Sequence, residues 1–146
     1  PDSFVPWIHI SPNTMLLRRE AALKAIAKVP EKASVAADTP LLPLLAQREA
    51  LIRFPNSVQF IDREGDERSV DYVVTFPGYY SPMSPVFKRE RRQQIKIRDE
   101  VQELVAAGDY NLIHCEAGAL VLRRAQDRVP DQKPTLGTPS RCDALD

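Results

Sequence analysis

Residues 70–76, VDYVVTF, are β-branched or aromatic almost throughout, and Pro77-Gly78 follows them at once. Such a run favours an extended chain with both faces buried, which is typical of a central strand in a sheet covered by helices. Proline and glycine together end the strand sharply. The stretch therefore predicts an α/β domain built around this strand.

Helix-like and strand-like segments alternate on both sides of this run. Helices are expected where apolar residues recur at helical spacing, and strands where short apolar runs are bounded by turn-forming residues. The helices are predicted at 15–29, 40–47 and 86–107, the last closed by Gly108. The strands are predicted at 34–37, 51–54, 58–61 and 70–76, and at 110–115 and 119–123 as an antiparallel hairpin around a turn at 116–118.

Prolines are unusually frequent, at 13 of 146 residues, and three of them follow a hydroxyl side chain near the start of a predicted helix. A serine or threonine can accept a hydrogen bond from a free helix N–H, and a proline suits the first helical turn. The three pairs Ser11-Pro12, Thr39-Pro40 and Ser84-Pro85 are therefore each expected to open a helix. The first helix is expected to bury the face that carries Met15, Ala22, Ile26 and Val29.

Together these elements predict a three-layer α/β sandwich with a mixed, mostly parallel sheet of five or six strands and a C-terminal antiparallel hairpin. We expect residues 15–124 to form this domain. Residues 1–14 would be a lead-in, and residues 125–146, which are rich in Pro, Asp and Thr, would be a disordered tail. The chain begins at Pro1 without an initiator methionine, which suggests a preceding region.

Charge and hydropathy exclude several classes of protein. Lys and Arg number 20 and so do Asp and Glu, so the net charge is zero and gives no reason to expect nucleic acid. No window approaches the roughly 18 apolar residues that a membrane span needs. The chain itself is therefore expected to be soluble.

The usual signatures of catalysis and cofactor binding are missing. The five glycines cannot form GxGxxG or GxxxxGK[ST], and GxSxG does not occur. His114 and Cys115 are adjacent, but they lie in a predicted strand and the chain has only one other histidine, so we interpret them as strand residues. The sequence thus predicts no catalytic residue, no metal and no cofactor.

Asp38, Tyr79 and Tyr80 are the candidates for ligand binding. Open α/β sheets bind ligands beyond the carboxyl ends of their parallel strands, and these residues follow the strands predicted at 34–37 and 70–76. Adjacent tyrosines can stack on a sugar or line a partner surface. They are also common as partly buried loop anchors, which is the interpretation we favour.

Two further features could bind anions. Arg48 could hold one, although an ion pair with Glu49 or Asp71 is the favoured interpretation.

Residues 88–98 contain six cations and one anion. The favoured interpretation is the solvated face of a helix whose buried stripe is 97, 101, 104 and 105, with an anionic lipid or lipid-phosphate headgroup, or nucleic acid, as alternatives. The residues expected to contact an anionic surface are Lys88, Arg89, Arg91 and Arg92.

The order of several short motifs resembles the C-terminal region of a family of uncharacterised polytopic membrane proteins from bacteria, grouped as domain of unknown function twenty-seventy-nine. The resemblance covers about residues 15–124. Leu44 occupies a position that is often histidine in such relatives, which argues against a catalytic role for its loop. The motifs are AL at 22–23, VP at 29–30, ASVAA at 33–37, LPLLAQRE at 42–49, FP at 54–55, VDYVV at 70–74 and GALVLRR at 118–124.

The resemblance implies a multi-pass membrane parent similar in layout to the GT-C-type glycosyltransferases, which use lipid-linked sugar donors. The catalytic carboxylates of those enzymes lie in loops of the membrane part, so this chain would carry no complete active site. We therefore expect a soluble, extracytoplasmic accessory domain whose partners are the membrane-embedded part of the same chain and a lipid-phosphate or sugar ligand. The alternatives are a free-standing α/β interaction or ligand-binding domain that uses Tyr79, Tyr80, Arg91 and Arg92, and an independent transferase with Asp38 as base.

Overall fold

The computed structural model describes residues 10–125, so most of the expected lead-in and tail lie outside the described residues. Between these limits the chain forms two α-helices and seven strands, with 3₁₀ turns at Leu42–Leu45 and Pro77–Tyr79. The helices are α1 (Pro12–Ala27) and α2 (Lys88–Ala106). The strands are β1 (Val35–Ala37), β2 (Leu51–Arg53), β3 (Gln59–Ile61), β4 (Glu67–Ser69), β5 (Tyr72–Thr75), β6 (Tyr110–Glu116) and β7 (Ala119–Arg124).

Five of the strands form one mixed sheet in the order β2-β1-β5-β7-β6. β1 pairs in parallel with β2 and with β5, whereas β7 is antiparallel to both of its neighbours. β6 therefore runs in the same direction as β5, and four of the five strands point one way. The predicted α/β fold with a mixed sheet and a C-terminal hairpin is confirmed, and the strand predicted from residues 70–76 is central in the sheet.

Side chains of the central strands alternate between two cores, one on each face of the sheet. Val35 and Val74 pack with the buried alanines of α1 on one face. Ala36 and Val73 pack with Ile97 of α2 on the other. The sheet is thus covered by one helix on each face, which is the predicted three-layer arrangement.

One of the three proline pairs opens an α-helix as predicted. Ser11 caps α1, because its Oγ accepts a hydrogen bond from the Thr14 N–H at 3.2 Å. The helix predicted at 40–47 is only the 3₁₀ turn, because Pro43 has no N–H to donate in a helix interior. The prediction for Ser84-Pro85 is also wrong: the Ser84 hydroxyl donates to the Ser81 carbonyl within a series of turns, and α2 begins after Phe87.

Residues 58–69 form a separate hairpin rather than a strand of the main sheet. β3 pairs with β4, where the sequence predicts no strand. Asp62 holds the turn between them, since its Oδ1 accepts from the N–H groups of Glu64 and Asp66 at 3.0 and 2.9 Å. β4 was missed because neither of its faces is fully buried, so no apolar alternation marks it.

Glycines close the longest helix and the last hairpin as predicted. Gly108 follows α2 with φ of +76°, and Gly118 lies in the β6–β7 turn with φ of +81°. Of the stripe expected on α2, Ile97 is buried and residues 101 and 104 pack against the core, but Val105 is exposed. The last turn of α2 therefore packs only partly on the sheet.

Candidate functional site

Asp38 lies where the carboxyl ends of β1 and β5 meet. Its Oδ2 accepts hydrogen bonds from the Thr75 hydroxyl at 3.1 Å and from the Phe76 N–H at 2.9 Å. Its main-chain carbonyl accepts from Leu41 N–H at 3.0 Å and from Leu42 N–H at 3.3 Å, which begins the following 3₁₀ turn. The residue thus ties the ends of two neighbouring parallel strands together.

The Asp38 carboxyl is completely buried. Burial raises its pKa to about 6, although the Phe76 N–H and the Thr75 hydroxyl partly oppose the rise. Its Oδ1 has no hydrogen-bond partner among the described residues. With no surface open to solvent, this carboxyl cannot contact a substrate in the conformation observed.

Tyr79 and Tyr80, next to Asp38, differ in their exposure. Tyr80 is 8% exposed, and burial first and the charge of Asp38 second raise its pKa to about 12. Tyr79 is 38% exposed, and its ring centroid lies 5.6 Å from that of Tyr80 and 5.6 Å from Cζ of Arg18. Tyr80 therefore acts as a buried anchor, and Tyr79 with Arg18 forms the accessible part of this edge.

The tyrosine loop is held by a close contact between two glycines. The Gly78 N–H donates to the Gly118 carbonyl at 3.4 Å, and a Cβ placed on either glycine would lie 3.0 Å from the other's Cα. The sequence predicts that Gly78 ends a strand and that Gly118 lies in a turn, but it does not indicate that the two glycines are in contact. No local signal could have done so, because the contact joins two loops 40 positions apart.

Arg48 lies away from this edge. Its guanidinium donates to the carbonyl of Val29 at 3.0 Å and to that of Pro30, so it covers carbonyls that follow α1. It also lines an open cavity of about 310 Å³ with Glu31, Leu44, Leu45 and Gln47. The favoured ion pair with Glu49 or Asp71 is not formed within residues 10–125. A role for Arg48 as a ligand contact stays a prediction.

The four cations Lys88, Arg89, Arg91 and Arg92 lie in the first turns of α2, and all are exposed. None of them makes an ion pair with another described residue. Two apolar residues directly before the helix, Val86 and Phe87, are exposed as well. Their contact with an anionic surface also stays a prediction.

The first half of α1 exposes three large apolar residues, one of which the sequence predicts in the core. Met15 was expected in the core, but it is 57% exposed, and Leu16 and Leu17 are 56% and 63% exposed. The buried residues of the helix are Ala21, Ala22 and Ala25. Three consecutive large apolar residues break the helical period, which is the signal that could have placed them outside the core.

Two other kinds of feature, a metal site and a membrane span, are absent from the described part of the chain. Between residues 10 and 125, no group of three or more His, Cys, Asp or Glu side chains is arranged to hold a metal ion. Neither helix in this range has the length and apolar character that crossing a bilayer requires. His114 and Cys115 lie in β6, as the sequence indicated.

The fold and the groups at the carboxyl edge of the sheet define the class of protein. It is a three-layer α/β domain whose accessible groups at this edge, Tyr79 and Arg18, are aromatic and cationic. The family described as predicted membrane protein (DUF2079) matches residues 1–121. This match covers most of the chain, and the chain therefore belongs to that family. No curated protein and no solved structure matches it.

Proposed function

We propose that the chain is an accessory α/β domain of a polytopic membrane protein resembling glycosyltransferases that use lipid-linked sugars. In this proposal the domain lies outside the bilayer on the extracytoplasmic side. There it covers the membrane-embedded part of the same protein. The observation that carries the proposal is membership in a family of predicted membrane proteins, combined with a domain that has its own core on each face of the sheet.

The state of Asp38 supports an accessory role over a catalytic one. A general base must lie within hydrogen-bond reach of the proton it removes. Asp38 is buried, and one of its oxygens is engaged by Thr75 and Phe76. An independent transferase that uses this carboxyl as base would first have to open the junction between β1 and β5.

The exposed Tyr79 and the half-buried Arg18 support the second candidate, a domain that binds a sugar or a lipid phosphate. An aromatic ring can stack on a sugar, and a guanidinium beside it can contact a phosphate. The two groups lie 5.6 Å apart at the edge where α/β sheets bind ligands. In the intact membrane protein such a ligand could be shared with the membrane-embedded part.

The location is tested in the full-length parent protein. An epitope inserted at Gly65, in the exposed tip of the β3–β4 hairpin, should fractionate with membranes. In right-side-out vesicles it should be accessible to added protease. Recovery of the tag without membranes, or its protection until the vesicles are permeabilised, would contradict the proposal.

The accessory role is tested by calorimetric titration of the 146-residue chain. Nucleotide sugars, free sugars and polyprenyl-phosphate analogues should bind weakly, with Kd above about 1 mM. Tyr79→Ala should weaken any binding that is seen, whereas the matched change Tyr72→Ala, away from this loop, should not. Tight binding of a nucleotide sugar that is lost in Asp38→Asn would favour the independent transferase instead.

A further inference from the structure

We propose that one end of this domain, formed by the first half of α1 and the start of α2, binds the surface of a bilayer that contains anionic lipids. This inference rests on the proposed function, because it assigns the face that an accessory domain would turn toward the membrane. We call it the α1–α2 end. It comprises Met15, Leu16, Leu17 and Arg19 of α1, Val86 and Phe87, and the cations Lys88, Arg89, Arg91 and Arg92.

The first half of α1 extends past the edge of the sheet. Lys24 donates to Glu116 at 2.5 Å, and Glu116 is the last residue of β6, so the middle of the helix lies near the carboxyl edge of the sheet. The buried alanines of α1 still pack on the sheet, so the part that extends beyond it is the first six residues, about 9 Å at roughly 1.5 Å per residue. Every residue from 12 to 17 is exposed, so these turns have no buried packing on the described domain.

The apolar residues on this extension are distributed in a way that suits lipid. Successive helical residues are about 100° apart, so Met15, Leu16 and Leu17 cover more than half of the circumference. A helix that docks in a protein groove presents a single stripe at spacings of three and four instead. An end that is apolar on several sides fits a fluid environment that closes around it.

The start of α2 lies at the same end of the molecule. α2 connects β5 to β6, which run in the same direction, so its first turn lies near the carboxyl ends of the strands. Arg18, next to Leu17, contacts Tyr79, which lies in the 3₁₀ turn after β5. The exposed apolar residues of α1 and the cations of α2 therefore lie at the same end of the domain, on the two faces of the sheet.

The charges at this end favour an anionic partner. Positive side chains at a helix N-terminus oppose the helix dipole, and the four cations make no ion pair within residues 10–125. Lipid phosphates near an anionic membrane surface would neutralise them. Nucleic acid could also bind the cations, but it would leave the apolar Leu16, Leu17 and Phe87 at the same end of the domain exposed to water.

The test is co-sedimentation of the 146-residue chain with vesicles at low salt. Vesicles of phosphatidylcholine with added phosphatidylglycerol should bind the chain, and pure phosphatidylcholine should bind it at least tenfold more weakly. The double variants Leu16→Gln with Leu17→Gln, and Arg91→Glu with Arg92→Glu, should each lose binding by tenfold or more. All four positions are exposed, so the variants should melt at the wild-type temperature.

Matched controls lie on the β3–β4 hairpin. Ile61, 73% exposed, and Arg63 offer the same types of change as Ile61→Gln and Arg63→Glu, which should leave binding within twofold. Absence of binding at low salt, or equal losses in the control variants, would overturn the inference. So would conversion of a dimer to a monomer by the leucine changes, since that would identify a second copy as the partner. The epitope experiment on the parent is independent of these outcomes, so failure of this inference is distinguishable from failure of the proposed function.

Discussion

Asp38 illustrates how a residue can occupy the expected place of a ligand contact and do something else. The position after a parallel strand is where α/β sheets present groups to ligands, and the sequence pointed to it for that reason. In the folded chain the carboxyl bonds to Thr75 and Phe76 and is closed to solvent. The free-energy cost of ionising this buried carboxyl can be measured.

Asp38 should make the folded state less stable as pH rises. Because burial raises its pKa from 3.8 to about 6, the folded chain holds the proton more tightly than the unfolded chain between these values. This contribution to stability is fully present below about pH 3.8 and is lost as pH rises through about 6. A shift of this size corresponds to about 3 kcal/mol.

The check is urea unfolding of the wild type and Asp38→Asn at pH 4 and pH 7. Relative to the wild type, the variant should gain up to about 3 kcal/mol in unfolding free energy between the two pH values. The pair at pH 4, where both side chains are neutral in the folded chain, controls for packing changes. A difference that stays constant across this range would contradict the assignment.

Tyr110 should contribute through a single buried hydrogen bond. Its hydroxyl donates to the Val70 carbonyl at 2.7 Å. Tyr110→Phe should lower the unfolding free energy by about 1–3 kcal/mol, because the carbonyl loses its donor in a buried place. Tyr72→Phe is the control, since the Tyr72 hydroxyl has no hydrogen-bond partner in the described part of the chain, and it should change stability by less than about 0.5 kcal/mol. Equal losses would rule out this role for the bond.

At the scale of elements, the two loops at the carboxyl edge are joined by a backbone contact. Gly78, after β5, and Gly118, in the β6–β7 turn, approach so closely that a Cβ on either one would lie 3.0 Å from the other's Cα, which is tighter than an ordinary contact. This contact positions the Tyr79 loop on the hairpin. It explains why the chain, with few glycines, places two of them here.

Gly118→Ala should be more destabilising than Gly65→Ala. Both glycines have positive φ, which costs a residue with a side chain about 1–2 kcal/mol. At Gly118 the new Cβ would also meet the Gly78 Cα at 3.0 Å, whereas at Gly65 nothing lies within 4 Å. Equilibrium unfolding of the two variants measures the difference. Equal destabilisation would show that the glycine contact adds no cost.

At the scale of the whole molecule, residues 10–125 form a three-layer domain and a helix that continues beyond it. The second half of α1 packs on the sheet through Ala21, Ala22 and Ala25, while the first half has no buried residue. Because short helices without tertiary packing are marginally stable in water, the two halves should differ in local stability. This difference is the physical basis for a membrane-binding end.

Hydrogen exchange of the free chain should resolve the two halves of α1. Amides of residues 16–19 should exchange at least tenfold faster than that of Ala25, which is completely buried. Addition of vesicles with phosphatidylglycerol should slow the first group and leave Ala25 unchanged. Equal protection of both halves in the free chain would mean that something else already covers the extension.

The sequence alone was enough to predict most of the fold. Residues 70–76 identified the central strand because a strand buried on both faces needs apolar residues at nearly every position. Ser11-Pro12 and Gly108 marked helix ends because capping is a local interaction. The β3–β4 hairpin and the short turn around Pro43 were misjudged because their residues carry weak or conflicting local signals.

What only the tertiary structure decided is which residues meet and which remain in contact with water. Asp38 becomes buried because two parallel strands end side by side, and Tyr79 meets Arg18 because α1 crosses the carboxyl edge of the sheet. Met15, Leu16 and Leu17 are exposed because α1 extends past the edge of the sheet on which its second half packs. The local sequence pattern determines each helix and strand, because these elements form through interactions between near neighbours. Which residues are exposed and which are in contact depends instead on how far the elements overlap once they are packed.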